Sequence, residues 1–96
     1  MNRKDAINTL SKIKPELAGR FGVTRLALFG STARDAANSK SDVDILVAFD
    51  GPATSARYFG VQFMLEDLLG CNVDLVTEKA LRAELRTFVE QEAINV

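Results

Sequence analysis

Apolar residues recur at helical spacing near the start of the chain: Ala6, Ile7, Leu10 and Ile13 fall three and four apart among polar neighbours. That period lays one apolar stripe along a helix. Pro15 interrupts the pattern, and because proline is well suited to a first helical turn, a second short helix is expected to begin there and to close at Gly22. The period then changes. Thr24 to Phe29 reads TRLALF, a compact apolar run of strand length that stops at Gly30-Ser31. Thr32 to Ala37 can form a helical turn, and Asn38, Ser39, Lys40 and Ser41 are loop formers. Asp42 to Phe49 reads DVDILVAF, polar only at its start, which predicts a largely buried strand ended by Asp50-Gly51-Pro52.

From Ser55, expected as the N-cap, to Leu69 the apolar positions Tyr58, Val61, Leu65 and Leu68 repeat at three and four, with Gly70 placed to cap the end. This predicts a helix whose stripe faces the core. Asn72 to Thr77, NVDLVT, predicts a short strand, and a last helix from about Ala80 would bury Leu81, Leu85, Phe88, Val89 and Ala93 along one face. Strands alternating with helices imply a small α/β or α+β fold, with helices packed on a sheet. No internal repeat or linker divides the chain, so residues 1–96 read as a single domain.

Composition narrows the chemistry. With 96 residues, 47% of them apolar and 26% charged, the chain is balanced like an ordinary globular domain. Its formal charge of -1 provides no basic field, so direct DNA binding is not expected. Histidine is absent, which removes the commonest general base and the commonest zinc ligand. Catalysis would have to rest on carboxylates, hydroxyls and a hard cation. Cys71 is the sole cysteine, read as packing in a reducing compartment. No run approaches the roughly 18 apolar residues of a membrane span, and the start of the chain has no apolar signal core, so a cytoplasmic protein without a membrane partner is expected.

Three features carry the candidate chemistry. Gly30-Ser31 follows a strand and precedes a helical turn, where glycine lets a phosphate approach the backbone and the amides and the Ser31 hydroxyl can donate to it. Asp42 and Asp44 head a strand and lie on one side of it, with Cα atoms roughly 6.5 to 7 Å apart. Two carboxylates so placed either bracket a divalent cation or stand solvated at the strand end, because like charges about 4 Å apart cost on the order of 4 kcal/mol at an effective dielectric of about 20. Asp74 interrupts the apolar run VDLV, and it either joins those carboxylates from a neighbouring strand or faces solvent between inward Val73 and Leu75.

Together these features resemble the signature of the nucleotidyltransferase superfamily related to DNA polymerase β. In that signature Gly-Ser is followed about ten residues later by Asp-x-Asp, and a third Asp comes later. The strings LFGSTARD and SDVDILV further resemble the minimal nucleotidyltransferases, the MntA-type antitoxins of HEPN/MNT toxin–antitoxin pairs, and the likeness runs through the closing EAINV. The resemblance implies the small mixed sheet of the polymerase β-like fold with flanking helices. It also implies magnesium as cofactor and ATP as co-substrate, with Asp42, Asp44 and Asp74 as catalytic metal ligands and Gly30 and Ser31 seating the β and γ phosphates. Two residues stay open: Arg34 neutralises phosphate or pairs with a carboxylate of its own turn, and Ser41 touches the triphosphate or caps the start of the strand. One departure is Asp35, which stands where the family commonly has glycine and adds negative charge near the turn.

The same resemblance implies a function: transfer of AMP from ATP to a tyrosine of a cognate HEPN ribonuclease toxin, which silences it. The alternative is an antitoxin that neutralises the toxin by binding alone, in which case Arg82 or Arg86 of the closing helix would carry the contact. Otherwise those two arginines, with Glu78, Glu90 and Glu92 around them, read as a solvated charged face. A third possibility, nucleotidyl transfer to a small molecule, would require an acceptor-binding domain for which 96 residues leave no room.

Overall fold

The computed structural model describes residues 1–36 and 42–96. The elements in order are α1 (Arg3–Phe21), β1 (Val23–Phe29), α2 (Gly30–Ala33), β2 (Val43–Phe49), α3 (Ser55–Leu69), β3 (Val73–Thr77), a 3-10 turn (Glu78–Ala80), α4 (Ala83–Glu92) and β4 (Ile94–Asn95). The four strands form one mixed sheet in the order β3-β2-β1-β4. β2 pairs antiparallel with β1 and parallel with β3, and β1 pairs antiparallel with β4. This is the small mixed sheet with flanking helices that the sequence implies.

The first helix does not break. Pro15 lies inside a continuous α1, where it deprives the Ser11 carbonyl of its intrahelical donor. Leu10 and Leu17 are both fully buried seven residues apart on the same stripe, so ending the helix at Pro15 would unseat one of them. Pro15 and Ser11 are exposed, which lets water take the orphaned carbonyl. The helix starts at Asn2, whose side chain accepts from the Asp5 amide at 2.8 Å, and ends at Gly22.

Strand alternation gives the sheet two different faces. On one, Leu26, Leu28, Val43, Ile45, Val47, Val73 and Leu75 join Ala6, Leu10 and Leu17 of α1 and Val61, Leu65 and Leu69 of α3 in a single core. On the other, the paired positions are Ala27 with Leu46, Phe29 with Asp44, Asp44 with Asp74, and Ala27 with Asn95. Arg25 belongs to this second face by the same alternation. Ala27 and Leu46 are fully buried there, which is why both strands read as apolar throughout.

Helix α3 matches its expected span, but its N-cap is Thr54 instead of Ser55, with the Thr54 hydroxyl accepting from the Arg57 amide at 3.3 Å. Val61 and Leu65 are core, and the half-buried Tyr58 packs on it and donates to the Leu75 carbonyl. Leu68 is 48% exposed, because the neighbouring Leu69 takes the inward position at the end of the helix. Cys71 is half-buried against the core, and burial raises its thiol pKa.

The closing helix departs most from expectation. It spans Ala83–Glu92, so Leu81 precedes it and Ala93 follows it, and none of its residues is buried. Leu85 is 49% and Phe88 70% exposed. Polar contacts hold it instead: Arg25 reaches from the sheet to Glu90 at 2.7 Å, Glu78 at 3.0 Å and Asn95 Oδ1 at 2.9 Å, and Arg86 donates to the Glu78 carbonyl. Arg82 and Arg86 are exposed, as expected of a solvated face, whereas Glu78, Glu90 and Glu92 each engage an arginine. Among the described residues no helix is long and apolar enough to cross a membrane.

Candidate active site

The second face of the sheet gathers the carboxylates. Asp44, the second residue of β2, lies directly beside Asp74 of β3 in the parallel register. Adjacent strands are about 4.8 Å apart, so two aspartates at paired positions on one face must meet. Asp44 is half-buried, whereas Asp74 is exposed and flanked by buried Val73 and Leu75. Both readings of Asp74 thus hold at once: it faces solvent, and it stands next to Asp44. Asp42 is exposed just ahead of β2 and is close enough for its charge to act on Asp44.

Those surroundings push the Asp44 carboxyl up to about 6. Burial contributes most, then the charge of Asp74, the hydrogen bond the two side chains share, and the charge of Asp42; Arg34 pulls the other way. Burial and like charges so close resist ionisation, so Asp44 keeps a proton where an isolated aspartate would have lost it. A cation can take the place of that proton. Among the described residues no set of three or more acidic, histidine or cysteine side chains closes into a metal cage. Magnesium needs none, since it is ordinarily held by one or two carboxylates with waters and substrate phosphates, and this donor set fits that mode.

The turn after β1 is built against Asp44. Gly30 has φ +72°, and a Cβ on it would collide with the Asp44 carboxylate. Glycine is required there both by the left-handed backbone and by the carboxylate that fills the space of a side chain. The chain then enters α2, where Ser31 is half-buried and Thr32 and Ala33 are buried.

Arg34, at the end of α2, is close enough to Asp44 to favour its ionised form. Its hydrogen-bond partner among the described residues is not a carboxylate of its own turn but Glu92. Glu92, from the last turn of α4, accepts from Arg34 at 2.6 Å through Oε2 and from the Gly30 amide at 3.2 Å through Oε1. Glu92 escaped the sequence reading because only the fold brings position 92 to position 30.

Asp35 turns away from the site, its carboxylate accepting from the Arg3 amide in the first turn of α1 at 3.2 Å. Its φ of +59° explains why glycine suits the position, and aspartate is among the few other residues that tolerate it. The Asp35 carboxylate is thereby tied to the start of α1. Ser41 lies outside the described residues. A surface groove along α4, lined by Leu81, Arg86 and Glu90 among others, and a cavity of about 200 Å³ by Val47, Phe49 and Thr77 contain neither Asp44 nor Asp74.

Carboxylates paired across two strands beside a glycine turn define a nucleotidyltransferase architecture, and the comparisons agree. Residues 10–96 match the model of the nucleotidyltransferase domain, and the chain belongs to that family. A relative in Thermococcus cleftensis, protein adenylyltransferase MntA, is 39% identical over 87 residues that cover 91% of this chain and 88% of its own. A solved structure of a candidate minimal nucleotidyltransferase superposes with a TM-score of 0.85 at 36% identity, covering 100% of this chain and 97% of the other. The fold is also that of the MNT antitoxin solved in complex with the tri-AMPylated HEPN toxin of Shewanella oneidensis, with a TM-score of 0.69 at 19% identity over 97% of this chain and 70% of that one.

Proposed function

We propose that this chain is a magnesium-dependent protein adenylyltransferase that transfers AMP from ATP to a tyrosine of a cognate HEPN toxin and so neutralises it. The observation that carries the reading is the Asp44–Asp74 pair, set side by side on one sheet face with Asp44 pressed against the Gly30 turn. The adenylyltransferase name of the Thermococcus relative supports the reaction, and the toxin–antitoxin complexes that share the fold support the partner. Exposed Phe59 and Phe63, stacked on α3, and Phe88 on α4 add apolar surface of the kind that a partner chain covers.

Bound magnesium would neutralise charge on the triphosphate and on the leaving pyrophosphate. The chain's own residues do the rest. Asp42 and Asp44 hold the cation against the β2 end, and the Gly30-Ser31 backbone seats the β and γ phosphates. Arg34 offsets phosphate charge. Asp74 faces solvent, where an incoming hydroxyl can reach it, and takes the proton as the tyrosine oxygen bonds to the α phosphorus and the bond to the β phosphate breaks.

Intact-mass spectrometry of the cognate toxin, after incubation with this protein, magnesium and ATP, tests the reading. Added AMP that disappears with the Asp42→Asn, Asp44→Asn double variant is the expected result. An unmodified toxin that is nonetheless neutralised in a tight complex would replace the reading with neutralisation by binding alone.

A further inference from the structure

We infer that Glu92 is a built-in occupant of the phosphate position, which an incoming nucleoside triphosphate must displace. The inference rests on the nucleotidyltransferase reading above and adds how access to that site is controlled. The two groups that Glu92 engages are donors in the very turn that would bind phosphate: the Gly30 amide at 3.2 Å and the Arg34 guanidinium at 2.6 Å. Each carboxylate oxygen takes one donor, as two oxygens of a phosphate would. The Gly30 amide has a single N–H and cannot serve a carboxylate and a phosphate at once, and the Glu92 charge already offsets the Arg34 charge that a phosphate would meet.

The position of Glu92 in its own helix supports the assignment. It is the last residue of α4, where the helix dipole presents its negative end and an acidic side chain is disfavoured. The contact with the Gly30–Arg34 turn offsets that placement. Helix α4 buries no residue, so letting go of the turn exposes no core. Arg25 still ties Glu90 and Asn95 to the sheet when Glu92 leaves. Displacement is then a local event: the side chain swings out, the last turn of α4 loosens, and the donors become available to the triphosphate.

The test is calorimetric titration of the full chain with magnesium and a non-hydrolysable ATP analogue, comparing wild type with Glu92→Gln. The neutral amide competes poorly for Arg34, so the variant should bind about tenfold more tightly. Hydrogen exchange supplies a readout that needs no variant: nucleotide should speed exchange at residues 91–93 of the wild type while slowing it at residues 30–34. Unchanged or weaker binding by Glu92→Gln, or slower exchange at residues 91–93 on binding, overturns the proposal and makes Glu92 a support of the turn. If neither protein binds the analogue, the nucleotidyltransferase reading falls with it, whereas binding by wild type without a gain in the variant removes this inference alone.

Discussion

At Asp44 the charge that the proposed metal site requires works against the stability of the fold. Its pKa is raised from 3.8 to about 6, so between about pH 4 and 6 the folded chain keeps a proton that the unfolded chain has released. Ionising Asp44 therefore costs stability, and stability falls as pH rises through that window. Glu90 acts in the opposite sense, since Arg25 lowers its pKa and its contribution is lost as pH falls, but it is common to both proteins compared. Without metal, Asp44→Asn should melt above wild type at about pH 7 and together with it at about pH 4. Magnesium should raise the melting temperature of wild type at the higher pH and leave the variant unmoved. Equal melting of the two proteins at both pH values would mean that Asp44 is not under the charge pressure described. The aspartates were legible from the sequence because strand alternation alone puts Asp42 and Asp44 on one side and marks Asp74 as foreign to its run. Glu92 was not, because no local pattern relates it to a turn more than sixty residues away.

At the scale of elements, sequence patterns succeeded where packing and local preference agree. Helix α3 has its span, its buried Val61 and Leu65 and its closing Gly70, all of which follow from period and end chemistry. Pro15 misled because tertiary burial of Leu10 and Leu17 outweighs a local break. Helix α4 misled in the opposite way: its apolar residues recur at helical spacing, yet Leu85 and Phe88 face solvent and ion pairs attach the helix to the sheet. The two-residue β4 is too short to carry a strand pattern and exists through pairing with β1. If Arg25 is the anchor of this segment, Arg25→Met should cost about 1 kcal/mol of global stability, the scale of a partly exposed ion-pair network. Hydrogen exchange should then accelerate across residues 83–95 while residues 43–49 stay protected. Uniform acceleration throughout the chain would show that α4 is part of the cooperative core.

On the scale of the whole molecule, the sheet divides labour between its faces. One face is covered by α1 and α3 and supplies the core; the other carries Arg25, Asp44 and Asp74, the side chains to which the proposed chemistry is assigned. The fold class was readable from strands alternating with helices, the family from the Gly-Ser and Asp-x-Asp spacing, and the mixed sheet only through the resemblance to that family. The parallel pairing that sets Asp44 beside Asp74 was not, since register between strands joined by a helix is decided by packing. The central claim is that this second face binds a magnesium nucleotide at the Gly30 turn and the aspartates. Amide chemical shifts of the labelled protein, followed during titration with magnesium and a non-hydrolysable ATP analogue, test it most directly. The account predicts saturable shifts centred on Gly30, Ser31, Arg34, Asp44 and Asp74 that vanish in the Asp42→Asn, Asp44→Asn double variant. Shifts centred on the groove along α4, or shifts that survive in the variant, would contradict it.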